Sequence, residues 1–214
     1  MQKYCPSLII SDYVKGDGLD KIHLNNRPYI AICASSWTLD ENMQLLFDAL
    51  RIYDKTDAKH RIHVFITGKG PLRKGFIDSM KFENFQKIKI FSAWLPYENY
   101  CNLLRIADFG ISLHYSASGL DLPMKVIDYI SSELPTFSIR YECIGELVTD
   151  GFNGFLFDNA EEFAYLLTQH LESEPGSNHI LHSLAKNTRY YFQQTWESYW
   201  NSQVKRILLE RFSE

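Results

Sequence analysis

Apolar residues along this chain gather into short runs separated by longer amphipathic stretches. From Pro28 onward the runs cover residues 29–34, 63–67, 88–91, 109–113, 136–139 and 155–157, and they are rich in β-branched and aromatic side chains. Compact runs of this kind read as strands buried on both faces. Between them the apolar spacing widens to three and four residues, which is helical. After the first run, Thr38 and Glu41 stand as an S/T-x-x-E capping box, and Leu46, Ala49, Leu50 and Tyr53 repeat at helical spacing. Pro71 and Pro96 each follow a strand and a short turn, where proline favours a helix start, and the Pro96 helix is expected to carry Tyr97, Cys101 and Leu104 inward. Strand and helix in alternation predict an α/β fold, a Rossmann-like parallel sheet with helices on both faces.

The two ends differ from this middle. Residues 1–28 contain Lys15-Gly16-Asp17-Gly18 and Asn25-Asn26, a turn-rich composition that suggests an incoming linker ahead of a domain over 29–190. Segments 160–171 and 180–190 read as helices. The last stretch, 191–214, reads as a further helix bearing Trp196, Tyr199, Trp200, Val204, Ile207 and Leu208. Those aromatics call for a surface: by default that of this domain, otherwise that of a partner.

The 214 residues, 45% of them hydrophobic and 22% charged, are enough for one substantial domain that needs no staples. A formal net charge of −4 gives no global attraction to nucleic acid or to an anionic membrane, so any anion site must be local. Cys5, Cys33, Cys101 and Cys143 are too far apart for a C-x-x-C motif, no secretory leader is read ahead of them, and reduced thiols are expected. No apolar run approaches the roughly 20 residues of a membrane helix, so no transmembrane segment is expected. The histidines lack metal-binding spacing, and no built-in metal cofactor is expected. The first strand is not followed by G-x-G-x-x-G, and no G-x-x-x-x-G-K-[ST] occurs, which disfavours nicotinamide, flavin and P-loop chemistry.

The candidate chemistry sits between His114 and Asp128, where the strand 109–113 passes through Ser116-Ala117-Ser118-Gly119 to Pro123. Small residues let backbone N–H groups approach a ligand, and a helix start carries unpaired N–H groups and partial positive charge, so a phosphate or diphosphate is its natural guest. Lys125 adds a full charge. At about 100° per residue, Asp121, Lys125 and Asp128 share one stripe, with Val126, Ile127 and Ile130 opposite. The competing reading is a plain amphipathic helix whose Asp121–Lys125 pair contributes a few tenths of a kcal/mol. Two further turns belong to the same edge of a parallel sheet: Ser35-Ser36-Trp37-Thr38 and Gly68-Lys69-Gly70-Pro71. In the second, Lys69 is either a ligand contact or a solvated loop lysine. Trp94 stands where a nucleobase can lie, or packs as an ordinary aromatic. His114 either donates to a sugar hydroxyl or phosphate, or is structural.

The runs Ser35-Ser36-Trp37-Thr38, Ile66-Thr67-Gly68-Lys69-Gly70-Pro71-Leu72, Trp94-Leu95, Ala107-Asp108 and Ser118-Gly119-Leu120-Asp121-Leu122-Pro123-Met124-Lys125-Val126-Ile127-Asp128 carry a resemblance. Over about residues 28–171 the chain resembles the carboxy-terminal domain of GT-B glycosyltransferases, more narrowly of the chitobiosyldiphosphodolichol β-mannosyltransferase family. The resemblance implies the donor-binding half of a GT-B fold, with 191–214 as the helix that crosses back to the first domain. It also implies a mannosyltransferase using GDP-mannose and a dolichol-diphosphate-linked chitobiose acceptor, in N-glycan precursor assembly at the cytosolic face of the endoplasmic reticulum. Ser116, Ser118, Gly119 and Lys125 would hold diphosphate, Asp121 and the backbone near Leu120 the mannose, Trp94 and Leu95 the guanine, and Asp128 the ribose. Ser36, Trp37, Gly68, Lys69, Gly70 and His114 complete the expected donor site. A full enzyme of the family has an amino-terminal half that binds acceptor and helps form the catalytic cleft, so a missing half or partner subunit is expected to supply the base. The alternatives are a non-catalytic nucleotide-sugar-binding or interaction module, and a GT-B transferase for another nucleotide sugar.

Overall fold

A computed structural model describes residues 27–80, 82–115, 118–190 and 195–212. The expected linker therefore lies almost wholly outside the described residues. Strands β1 (Tyr29–Ala34), β2 (Ile62–Thr67), β3 (Ile88–Ala93), β4 (Phe109–Ser112), β5 (Thr136–Ile139) and β6 (Gly154–Phe157) coincide with the apolar runs to within two residues. Helices α1 (Met43–Lys55), α2 (Arg73–Met80), α3 (Tyr97–Ile106), α4 (Met124–Ser131), α5 (Ala160–His170) and α6 (His179–Thr188) lie between and after them. The strands form one sheet in the order β3-β2-β1-β4-β5-β6, and every pairing is parallel. This is the Rossmann-like architecture that the alternating pattern predicts.

Strand β1 shows why both faces are covered. Its side chains alternate between two cores: Tyr29, Ala31 and Cys33 join the residues of α1, α5 and α6, whereas Ile30 and Ile32 join Leu103 and Leu104 of α3 and Tyr129 of α4. Asp108 closes the amino end of the sheet, accepting two bonds of 2.6 Å from Arg27 and one of 2.8 Å from the Ile30 N–H. Asn178, which is buried, caps α6 through Leu181 N–H and donates to the Tyr29 hydroxyl, fastening α6 to β1.

Three local expectations change. The Thr38–Glu41 capping box does not form, because α1 begins later, at Met43, and is capped by Asn42, whose side chain accepts from Leu45 N–H. The α3 helix turns Leu103 and Leu104 inward, while Tyr97 is 82% exposed and Cys101 only partly buried. In α4 the buried positions are Val126, Tyr129 and Ile130, and Ile127 faces outward. Tyr129 replaces Ile127 because its ring fills the space over Gly110, where a Cβ would lie 2.4 Å from the ring.

The carboxy-terminal segment is helical as expected, in three parts: α7 (Trp196–Tyr199), a π-helical turn (Trp200–Val204) and α8 (Lys205–Phe212). Trp196, Tyr199, Trp200, Ile207 and Leu208 are exposed and Val204 is partly buried, so the default expectation that these residues pack on this domain is not met. Cys33, Cys101 and Cys143 are free thiols.

The fold carries a pH dependence. His63 on β2 lies against Phe91, and burial, with Lys89 and Arg61 nearby, lowers its pKa from 6.5 to about 4. A base whose folded pKa is depressed contributes stability above its unfolded pKa and loses it as pH falls through the folded one. Stability is therefore expected to decline between about pH 6.5 and about pH 4, and His63→Gln to flatten that limb in urea titrations. An unchanged limb in the variant would assign the acid sensitivity elsewhere.

Candidate functional site

Because all strands run in one direction, the turns after β1, β2 and β4 leave from the same edge of the sheet. The strand order places β1 beside β4, the point where connections diverge to opposite sides and where open α/β sheets form ligand crevices. A cleft of about 470 Å³ opens there, lined by residues 34–36, 40–41, 67–68, 114 and 121–125. Of the residues expected from the sequence, Ser36, Gly68, His114, Asp121 and Lys125 line it. Trp37, Lys69, Gly70, Trp94, Leu95, Ser118, Gly119, Leu120 and Asp128 lie outside that lining, and Ser116 lies outside the described residues.

The glycine turn after β2 has a packing reason. Gly68 has φ +117°, and a Cβ there would stand 1.9 Å from the Ser35 carbonyl oxygen; at Gly70 it would stand 1.7 Å from that of Ser36. The two turns thus touch backbone to backbone. The Trp37 side chain is fully buried and packs towards Phe76 instead of facing the cleft. The backbone N–H groups of Trp37 and Ser36 donate to Glu41 Oε2 at 3.1 and 2.7 Å and do not point at a ligand.

Glu41 stands in the cleft wall and not, as its spacing from Thr38 suggests, in a helix cap. Its carboxylate is 2% exposed; it also accepts from the Ser35 hydroxyl at 2.5 Å and pairs with the Lys125 ammonium. Burial holds the Lys125 ammonium below its ordinary pKa, and burial likewise pushes the neighbouring Cys33 thiol up to about 11, with Lys125 opposing. Lys125 thus pairs with Glu41, where the competing amphipathic-helix reading set it against Asp121. Asp121 instead meets His114, Nε2 to Oδ2 at 2.6 Å, and the other ring nitrogen of His114 stands 3.2 Å from Asp40. The Asp40 carboxyl is held below its usual range, chiefly by the Thr38 hydroxyl, with His114 contributing. His114 is also fixed from the backbone by its bridge to Glu41.

Around this centre, Gly119 has φ +74°, and the Ser118 hydroxyl accepts from Leu120 N–H and donates to Asp121 at 3.2 Å, so residues 118–121 are tied together by their own polar groups. Leu120 is 72% exposed. Pro123 takes the N-cap position of α4 without a side-chain cap; Met124 and Lys125 of the first turn line the cleft, while the Val126 N–H donates to the Pro123 carbonyl at 3.0 Å. One turn beyond Lys125, Asp128 is exposed and accepts from the Tyr100 hydroxyl at 2.9 Å. Burial and Asp128 together raise the Tyr100 pKa. On the β3 side, the Lys69 ammonium stands 4.0 Å over the half-exposed Trp94 ring, and Leu95 packs against the α3 core.

The arrangement suits an anion flanked by hydroxyl groups: an ammonium and a helix start at one wall, carboxylates and a histidine at the other. Among the described residues, no group of three or more His, Cys, Asp or Glu side chains is placed to hold a metal ion, and no helix is long and apolar enough to cross a membrane.

Residues 18–190 match the family model described as glycosyl transferases group 1. The chain is 38% identical over 189 residues to the chitobiosyldiphosphodolichol beta-mannosyltransferase of Eremothecium gossypii, covering 86% of this chain and 39% of that protein. With the protein of the same name from Homo sapiens it shares 36% over 199 residues, covering 91% and 43%. The chain thus spans about two fifths of the length of these relatives. Among solved structures, Anabaena Alr3699/HepE in complex with UDP superposes with a TM-score of 0.67 at 16% identity, over 97% of this chain and 54% of that one, which bears out the Rossmann-like half of a GT-B fold. By the family match over residues 18–190, this chain belongs to the glycosyl transferases group 1 family.

Proposed function

We propose that this chain is the donor-binding half of a mannosyltransferase that moves mannose from GDP-mannose to dolichol-diphosphate-linked chitobiose in N-glycan precursor assembly. The observation that carries the reading is the meeting of Lys125, His114 and the uncapped start of α4 in one cleft at the β1–β4 switch. The names of the relatives support the acceptor class. In this reading Lys125 and the α4 N–H groups hold the diphosphate and stabilise the charge that develops on it as the glycosidic bond breaks. The backbone at Ser118 and Gly119 adds donors. Asp121 orients the mannose, Trp94 and Leu95 border the guanine, and Asp128, aimed by Tyr100, holds the ribose.

Transfer with inversion at the anomeric carbon, which the family resemblance implies, needs a base on the acceptor hydroxyl, opposite the leaving diphosphate, and a second half or partner subunit supplies both base and lipid site. The complete assembly works at the cytosolic face of the endoplasmic reticulum, and no resident metal takes part.

The test is transfer from labelled GDP-mannose to a chitobiosyl lipid, with this chain alone and together with an acceptor-binding half. Transfer only with both is expected; none with both defeats the proposal. Asp128→Ala is expected to weaken GDP binding by about 1–3 kcal/mol, through lost charged hydrogen bonds to ribose. Equal calorimetric affinity would remove the ribose assignment. A second reading, transfer from another nucleotide sugar, is favoured by the UDP bound in the Anabaena structure. Competition among GDP, UDP and ADP decides between them.

A further inference from the structure

The donor assignment leaves Glu41 unused, although the walls of the cleft converge on it. One carboxylate oxygen takes the Ser36 and Trp37 N–H groups and the Ser35 hydroxyl, and the other takes the Lys125 ammonium. Three segments are thereby tied together. The turn after β1 is bonded directly, the turn after β2 rests on it through Gly68 and Gly70, and the first turn of α4 is held through Lys125. Trp37 adopts φ +54°, a left-handed conformation uncommon for a bulky residue, and it does so with its backbone N–H shared between this carboxylate at 3.1 Å and the Ser35 hydroxyl at 2.9 Å.

We propose that Glu41 is a positioning residue for anion binding: it holds the Lys125 ammonium at the cleft beside the 35–37 turn, so that diphosphate affinity depends on the pair and not on Lys125 alone. The proposal rests on reading the cleft as a nucleoside-diphosphate site. Charge counting predicts the opposite sign, since deleting a carboxylate beside an anion should tighten binding. Positioning predicts weakening, because a buried ammonium without its counter-charge loses both its fixed place and its preference for the charged form.

The experiment is calorimetric GDP binding by the full chain and its Glu41→Gln, Lys125→Met and doubly substituted variants. Glu41→Gln is expected to bind GDP at least about tenfold more weakly, as when one partner of a buried charge pair is removed. If Glu41 acts through Lys125, the double variant binds no more weakly than Lys125→Met, whereas general damage to the cleft would add to it. Equal or tighter binding by Glu41→Gln overturns the proposal, and so does an additive cycle. Failure of the unsubstituted chain to bind GDP, UDP or ADP overturns the underlying reading, and is seen before any variant is measured. Should Glu41→Gln not fold, Ser35→Ala removes one hydrogen bond from the same carboxylate, together with the bond that the Ser35 hydroxyl accepts from the Trp37 backbone N–H. It is expected to weaken GDP about threefold, and unchanged affinity overturns the proposal.

Discussion

Gly68→Ala is expected to lower the stability of the chain by about 3–5 kcal/mol, the sum of backbone strain and overpacking. At φ +117° an alanine is strained wherever it sits, and here its methyl would lie 1.9 Å from a backbone oxygen, which cannot rotate aside as a side chain can. Relief requires the turns after β1 and β2 to separate, which opens the wall of the cleft. Gly75 is the internal control. It lies within α2, where a methyl group would meet nothing within 4 Å, so Gly75→Ala is expected to stabilise by about 0.5–1 kcal/mol through helix propensity. The same change of residue thus has opposite signs at two sites. Urea midpoints for both variants check this, and a Gly68→Ala midpoint at or above that of the unsubstituted chain would show that the two turns are not in contact.

Lys125→Ala is expected to cost about 3–5 kcal/mol, because it strands the Glu41 carboxylate in the interior with its counter-charge gone. Glu41 is 2% exposed and Lys125 16%, so solvent does little to screen either group. Part of the loss is recoverable: replacing both residues with apolar ones of similar volume removes the unpaired charge and is expected to restore most of the stability, though not anion binding. The same logic separates folding from function, since the paired replacement keeps the fold and empties the cleft of its cation. A Lys125→Ala variant within about 1 kcal/mol of the parent would mean that water reaches Glu41 and that the pair is a surface one.

Much of the secondary structure is legible in the sequence because its causes are local. Strands β1 and β5 have the bounds of their apolar runs, and the others differ by one or two residues. Burial on both faces removes the polar alternation that marks a half-exposed strand. Helix faces are less secure. The stripe containing Ile127 follows from angle alone, and the ring of Tyr129 over Gly110 shifts the buried face. The capping box fails for a related reason. Thr38 and Glu41 have the right spacing, but Glu41 has stronger bonds available, to a turn behind it and to a lysine 84 positions away. Its signal in the sequence is only a run of polar residues, Asp40-Glu41-Asn42, ahead of an apolar helix, and that run is ambiguous between cap and site.

By itself, then, the sequence determined the alternating elements, the parallel sheet, and the small-residue turns that leave its carboxyl edge, because periodicity, chain direction and glycine tolerance act over a few residues. Tertiary structure alone decided which charges meet: Lys125 with Glu41 in place of Asp121, His114 between Asp40 and Asp121, Lys69 over Trp94. Ion pairs and close backbone approaches are set by distances of a few ångströms between residues far apart in the chain, and those distances exist only once strand order has brought β1 beside β4.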